Sequence, residues 1–170
     1  MAITQETIQE ETKKLGEMIA RFESIGVDVG DAKAWAERLL AKLSASAATV
    51  LSVPGIEITL APGERYAGLL LTEEGKPSHH LVLLPGESED VNWEAAKSAA
   101  KKAGGELPSR REQSLLFANL KSEFKAAWYW SSEQSSEGYA FGQDFDYGYQ
   151  FSSYKKYGGR ARFVRRSSVL

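Results

Sequence analysis

The sequence predicts an α+β protein, and three observations carry that prediction. Apolar residues recur seven apart near the N-terminus, as on one helix face. Two amphipathic segments in the middle of the chain open on helix-capping residues. The last quarter alternates in period two between turn-forming glycines and serines, as antiparallel strands do. With 170 residues the chain is long enough to bury a core of ordinary domain size with a small appendage.

Residues 3 to about 25 read as an amphipathic helix, with Ile8, Leu15 and Phe22 on one seam and Met18 and Ile25 on the neighbouring one. Such a stripe serves either to pack on a neighbouring helix or to oligomerise the chain, and the oligomerisation reading rests on Ile8, Leu15, Met18 and Phe22. Gly26 and Gly30 punctuate a turn. Asp31 is a suitable N-cap for a second helix carrying Trp35, Leu39, Leu40 and Leu43. The two make a helical hairpin over residues 1–46. The small-residue stretch Ser44-Ala-Ser-Ala-Ala48 reads as a linker, which leaves 47–170 as a second domain.

Beyond the linker the period changes. Thr49–Val53 and Ile56–Leu60 read as short strands broken by Pro54-Gly55, and Tyr66–Leu71 with His80–Leu84 as a hairpin around Glu73-Glu74-Gly75-Lys76-Pro77. Asn92 caps a helix from Trp93 to about Ala103, which Gly104-Gly105 ends. Ser109 with Glu112 forms a capping box for a further helix through Leu115, Leu116, Phe117 and Leu120. The rest reads as strands Ala127–Ser131, Gly138–Phe145, Tyr149–Tyr154 and Arg160–Arg165.

The absence of cysteine excludes disulfides, thiolate metal sites and thiol nucleophiles. A formal net charge of −2 gives no general case for nucleic-acid binding, and no apolar run is long enough to insert in a membrane. The opening residues are acidic and carry no apolar signal core, so the expectation is synthesis in a bacterial cytoplasm. His79 and His80 are adjacent on a strand and point to opposite faces, so they cannot chelate one ion together. Asp144 and Asp146, with Glu137 nearby, could meet a hard cation but are more often turn residues. No metal, cofactor or catalytic residue is assigned.

Aromatic residues are concentrated. Of four Trp, seven Tyr and seven Phe, twelve lie between Trp128 and Phe163. Tyr139, Phe141, Gln143 and Phe145 share one strand face, and a core can absorb only part of so many rings. Phe141, Phe145, Phe151 and Trp130 are expected inside. Tyr147, Tyr149, Tyr154 and Tyr157, together with Tyr139, are candidates for a recognition surface, because tyrosine offers large contact area and a polar tip. After Asp146 there is no acidic residue, while Lys155, Lys156, Arg160, Arg162, Arg165 and Arg166 follow. Gln143, Asp144 and Asp146 are candidate hydrogen-bonding residues, and Arg160 and Arg162 candidate contacts for an anionic group. Stacking of nucleic-acid bases on these rings is the competing use of the same segment.

Three ordered segments carry a family resemblance: Gly104-Gly-Glu-Leu-Pro-Ser-Arg-Arg-Glu112, then Trp128-Tyr-Trp-Ser-Ser132 with Tyr139-Ala-Phe-Gly-Gln-Asp-Phe145, then Arg162-Phe-Val-Arg165. They resemble the family typified by the C-terminal domain of collagen-like bacterial adhesins, over roughly residues 50–166. The resemblance implies a C-type-lectin-like fold, shared with the hypervariable tip proteins of phages, and a loop-rich face that binds carbohydrate or protein. The whole layout, with Tyr66-Ala-Gly-Leu-Leu-Leu71 and Ser78-His-His-Leu-Val-Leu-Leu-Pro85, is similar to small prophage-encoded proteins. Formylglycine-generating enzymes share the broader fold but depend on cysteines, and the Glu-Pro-Asn and Trp-Asn-Asp signatures of calcium lectins are missing here. The expectation is therefore a non-enzymatic phage or prophage binding module, attached or oligomerised through its helical hairpin. As a virion protein it would recognise a host surface carbohydrate or protein. As an intracellular effector it would bind and inhibit a host protein or, less readily, nucleic acid.

Overall fold

The computed structural model describes residues 5–46, 49–53 and 56–169. The chain divides into two units, Met1–Pro62 and Gly63–Leu170. The division falls after the first β-hairpin, later than the sequence-derived boundary at residue 46. Residues 3 and 4, Ala47, Ala48 and the Pro54-Gly55 break lie outside the described residues.

In the first unit α1 (Gln5–Ser24) and α2 (Gly30–Ser46) form the expected hairpin. Gly26 ends α1 in a left-handed conformation, φ 80°. Its N–H donates to the Glu23 carbonyl and those of Ile25 and Val27 to the Phe22 carbonyl, so carbonyls of the last turn are satisfied. The start of α2 differs from expectation. Asp28 Oδ1 accepts the Gly30 N–H at 3.0 Å, and the Val29 carbonyl takes the first helical bond from Lys33 at 2.8 Å. Asp31 therefore sits inside the first turn, where its charge faces the positive end of the helix, and does not cap it. The helix also continues to Ser46, because alanine-rich sequence favours helix over linker. Strands β1 (Thr49–Val53) and β2 (Ile56–Leu60) pair antiparallel with Val53 opposite Ile56.

The second unit is α+β, as expected. Its smaller sheet has the order β10-β4-β3, formed by β3 (Arg65–Leu71), β4 (Pro77–Leu83) and β10 (Val164–Ser168). Its larger sheet has the order β5-β9-β6-β7-β8, from β5 (Ser88–Val91), β6 (Trp128–Ser136), β7 (Tyr139–Asp144), β8 (Gln150–Tyr154) and β9 (Gly159–Ala161). Helix α3 (Trp93–Lys102) is capped by Asn92, whose side chain accepts the Ala95 N–H at 2.9 Å. Helix α4 (Arg110–Leu120) opens on the Ser109/Glu112 capping box, complete in both directions.

Two apolar clusters explain the layering. On one side of the larger sheet, Trp93, Ala96 and Ala100 of α3 pack with Trp130, Ala140 and Ala161. Leu116 of α4 instead joins Tyr129 and Phe145 to Ala67, Leu81, Leu83 and Val164. Helix α4 is thus shared between the two sheets. Full burial of such side chains contributes about 1.5–3 kcal/mol each, which makes α4 the apolar link of the unit. Gly68 lets β3 approach it, since a Cβ there would meet the Leu115 and Asn119 side chains, and Asn119 Nδ2 donates to the Ala67 carbonyl at 2.7 Å.

The C-terminal segment differs most from its sequence reading. The single strand expected over Arg160–Arg165 is two strands. Gly159–Ala161 pairs parallel to β6 and antiparallel to β5 in the larger sheet, while Val164–Ser168 pairs with β4 in the smaller. Arg162 and Phe163 carry the chain between them. Phe163 is buried and its carbonyl accepts the Leu84 N–H at 2.8 Å, which fixes the crossing.

Candidate binding face

The β7–β8 hairpin forms the free edge of the larger sheet, and its register sets where the tyrosines stand. Tyr139 lies opposite Tyr154, and Gln143 opposite Gln150. Alternation of side chains puts Tyr139, Phe141 and Gln143 on the α4 side together with Gln150, Ser152 and Tyr154, and puts Tyr149, Phe151 and Ser153 on the other. The ring-rich segment therefore makes two groups.

The first group is a row of three. The Tyr139 and Tyr154 ring centroids are 4.1 Å apart, and Tyr157 meets Tyr154 edge-on at 5.4 Å. Lys156 Nζ stands 5.6 Å from the Tyr154 ring and 5.9 Å from that of Tyr157. The Tyr154 hydroxyl beside it, with some desolvation, raises the Tyr139 phenol above its ordinary pKa. Tyr154 and Tyr157 are exposed.

The second group sits on the turn at the other end of the hairpin. Asp144 Oδ1 accepts the N–H groups of Asp146 and Tyr147, each at 2.8 Å, and Gly148 donates to the Asp144 carbonyl at 2.8 Å. Tyr147 is left 79% exposed at the tip, and Tyr149 packs beside Phe151 at 5.9 Å. Asp144 is thus a turn-forming residue. Asp146 is exposed, and its carbonyl accepts the Lys121 ammonium at 2.7 Å.

Other expected contacts lie inside. Gln143 is fully buried, and its Oε1 accepts from Gln150 Nε2 at 2.9 Å. Phe145 and Trp130 are buried as expected. Phe141 is half-buried under the Arg110 guanidinium, 4.1 Å from the ring centroid, and Phe151 is half-buried against Trp128.

The basic cluster is largely neutralised. Arg160 reaches Glu87 at 3.0 Å and Glu89 at 2.5 Å, and Lys125 joins both acids. Arg160, then Lys125, hold the Glu89 carboxyl down to about 2. Burial lowers the Arg162 guanidinium, which donates to the Glu123 and Leu84 carbonyls. Arg165 grips Glu64 with bonds of 2.8 and 2.6 Å, and Arg166 grips Glu112 and reaches Glu106.

One connected group has the order of a catalytic triad. The Ser78 hydroxyl lies 3.0 Å from His79 Nδ1, and His79 Nε2 lies 2.8 Å from Glu112 Oε1. Glu112, however, also accepts the Ser109 N–H at 2.7 Å and both prongs of Arg166, so its charge is already spent. The group fastens β4, α4 and β10 together. His80 is buried, and its Nδ1 meets the Tyr66 hydroxyl at 2.8 Å. From sequence Glu112 has a local role alone, in the capping box with Ser109. Its second role depends on Arg166, 54 residues away.

Of the oligomerisation candidates, Ile8 is buried and Leu15 lines the groove toward α2, so both are taken up within the chain. Met18 and Phe22 are exposed. Among the described residues no helix is long and apolar enough to cross a membrane. Neither a protein-family model nor a curated protein matches the chain.

Proposed function

We propose that the chain is a non-enzymatic phage or prophage binding module whose second unit is C-type-lectin-like and recognises a host surface carbohydrate or protein from the virion. The observation that carries this reading is the open edge of the β7–β8 hairpin. Four rings are left in solvent there, at Tyr147, Tyr149, Tyr154 and Tyr157. Tyrosines of this kind are rigid, amphipathic anchors that contribute contact area at low entropic cost. The row Tyr139–Tyr154–Tyr157, with Lys156 beside it, is the stronger half, because its members support one another. Support for the lectin-like reading comes from the terminal strand β10, which pairs with β4 at the edge of the smaller sheet while α3 packs on the larger sheet and α4 between the two.

The same geometry works against the nucleic-acid arm of the effector reading. Arg160, Arg165 and Arg166 are held by carboxylates and Arg162 by carbonyls, so few cations are left to follow a phosphate backbone.

Particles induced from a host that carries the gene test the proposal. Mass spectrometry of purified particles is expected to find the chain, and the isolated chain is expected to adsorb to host cells. Tyr154→Ala with Tyr157→Ala should weaken adsorption at least tenfold without loss of folding. Particles that lack the chain would overturn the virion reading. Adsorption unchanged in the double variant would overturn the tyrosine face.

A further inference from the structure

The helical hairpin leaves a large apolar surface open. Met18, Phe22, Ile25, Trp35 and Leu39 are exposed, Trp35 at 65% and Ile25 at 70%. The groove between the helices is lined by Leu15, Ile19, Ala36 and Leu40. At 100° per residue in an antiparallel pair, Met18 and Phe22 of α1 and Trp35 and Leu39 of α2 project to the same side of that groove, and Ile25 follows in the turn. Two helices alone cannot cover this side.

The charges on α2 say what does. Asp31, Trp35, Arg38 and Lys42 fall on one stripe, because eleven residues nearly complete three turns. The stripe is palindromic in charge. When two copies of α2 run antiparallel about a point between residues 36 and 37, Asp31 of each faces Lys42 of the other, and Trp35 of each faces Arg38 of the other. The first is an ion pair made twice, the second a cation–π contact made twice. Asp31, Arg38 and Lys42 are all exposed, and none forms an ion pair among the described residues.

We propose that the hairpin is a self-association device: two copies stack their open faces with α2 antiparallel to α2, giving a four-helix bundle around Met18, Phe22, Trp35 and Leu39. The charged stripe then flanks the seam, as charged positions flank a coiled coil, and fixes its direction. With Ile25 in the adjoining turn included, each copy covers roughly 600 Å² of apolar side chain at the observed exposures, about 1,200 Å² in total, which reaches the range of stable interfaces.

Sedimentation equilibrium of the full chain tests this, with far-UV circular dichroism to confirm folding. The unsubstituted chain is expected to be a dimer. Trp35→Ala should weaken the dimer about a hundredfold, as loss of a central aromatic anchor does. Asp31→Lys alone and Lys42→Asp alone each place like charges together twice, and each should weaken it about tenfold. Mixing those two variants should restore tight pairing as a heterodimer, as should both substitutions in one chain. A chain monomeric at every concentration overturns the proposal. So does a dimer indifferent to Trp35→Ala, or one in which mixing the charge variants restores nothing.

Discussion

Arg166 grips Glu112 with two hydrogen bonds, Nε to Oε1 at 2.5 Å and Nη2 to Oε2 at 2.8 Å, and so ties the last strand to the first turn of α4. Glu112 is only 1% exposed, so removing its partner strands a carboxylate away from water. His79 and the Ser109 N–H remain to it, and the Arg166 side chain is itself 32% exposed, so the loss falls short of that for a fully buried pair. Arg166→Met is expected to cost about 2–3 kcal/mol. Urea unfolding should show a lower midpoint with an unchanged slope.

Glu112 should also leave a signature in the pH dependence of stability. Burial alone would raise its carboxyl, but Arg166, the Ser109 N–H and His79 together outweigh burial and hold it below 4.5. A carboxyl lowered on folding adds stability above its unfolded pKa and loses that stability as pH falls through the folded value. The urea midpoint is therefore expected to decline from about pH 5 downward. Glu112→Gln should be less stable at neutral pH yet decline less steeply over the same window. A variant that declines as steeply as the parent would remove Glu112 from this role.

The tyrosines of the binding face should differ in what they contribute to folding. Tyr147 stands at the tip of a turn made by Asp144 and Gly148, and Tyr147→Ala is expected to change stability by less than about 0.5 kcal/mol. Tyr154 lies between Tyr139 and Tyr157, so Tyr154→Ala should cost about 1 kcal/mol through lost ring contacts. Ultraviolet titration of the phenols supplies a second check. The raised Tyr139 ionisation should move back toward the ordinary tyrosine value in Tyr154→Ala, because the neighbouring hydroxyl is its first cause.

Elements legible in the sequence are those whose causes are local. Asn92 and the Ser109/Glu112 box lie within four residues of the groups they cap, and both helices begin where those residues indicate. Strand β5 was not legible, since Ser88-Glu-Asp-Val91 carries no alternating apolar pattern and is a strand only by pairing with β9. The division of the last strand was hidden for a similar reason. Alternation runs on through Arg160–Arg166, and the crossing depends on Phe163 meeting Leu84, far back in the chain. At the candidate site the exposure of Tyr147, Tyr149, Tyr154 and Tyr157 and the burial of Phe145 follow from ring polarity. Phe141 and Phe151, by contrast, are only half-buried because they lie on the two faces of the edge hairpin. The arginines could not be told from free cations, because Glu112, Glu87 and Glu64 stand 54 to 101 residues before them.

The turn that presents Tyr147 depends on one residue that tolerates no side chain. Gly148 has a φ of 88°, a region costly for residues with a Cβ, and a Cβ there would lie 2.7 Å from Cε1 and Cζ of Phe117. Phe117 cannot easily retreat, because its ring meets Phe145 edge-on at 5.8 Å in the cluster around α4. Strain and overpacking therefore act together, and Gly148→Ala is expected to cost about 2–3 kcal/mol. Phe117→Leu opens space at the ring without relieving the backbone. The double variant should therefore lose about 1 kcal/mol less than the sum of the single losses. Thermal unfolding of the four proteins of this cycle measures that coupling. Strict additivity would mean that the backbone conformation alone requires glycine at 148.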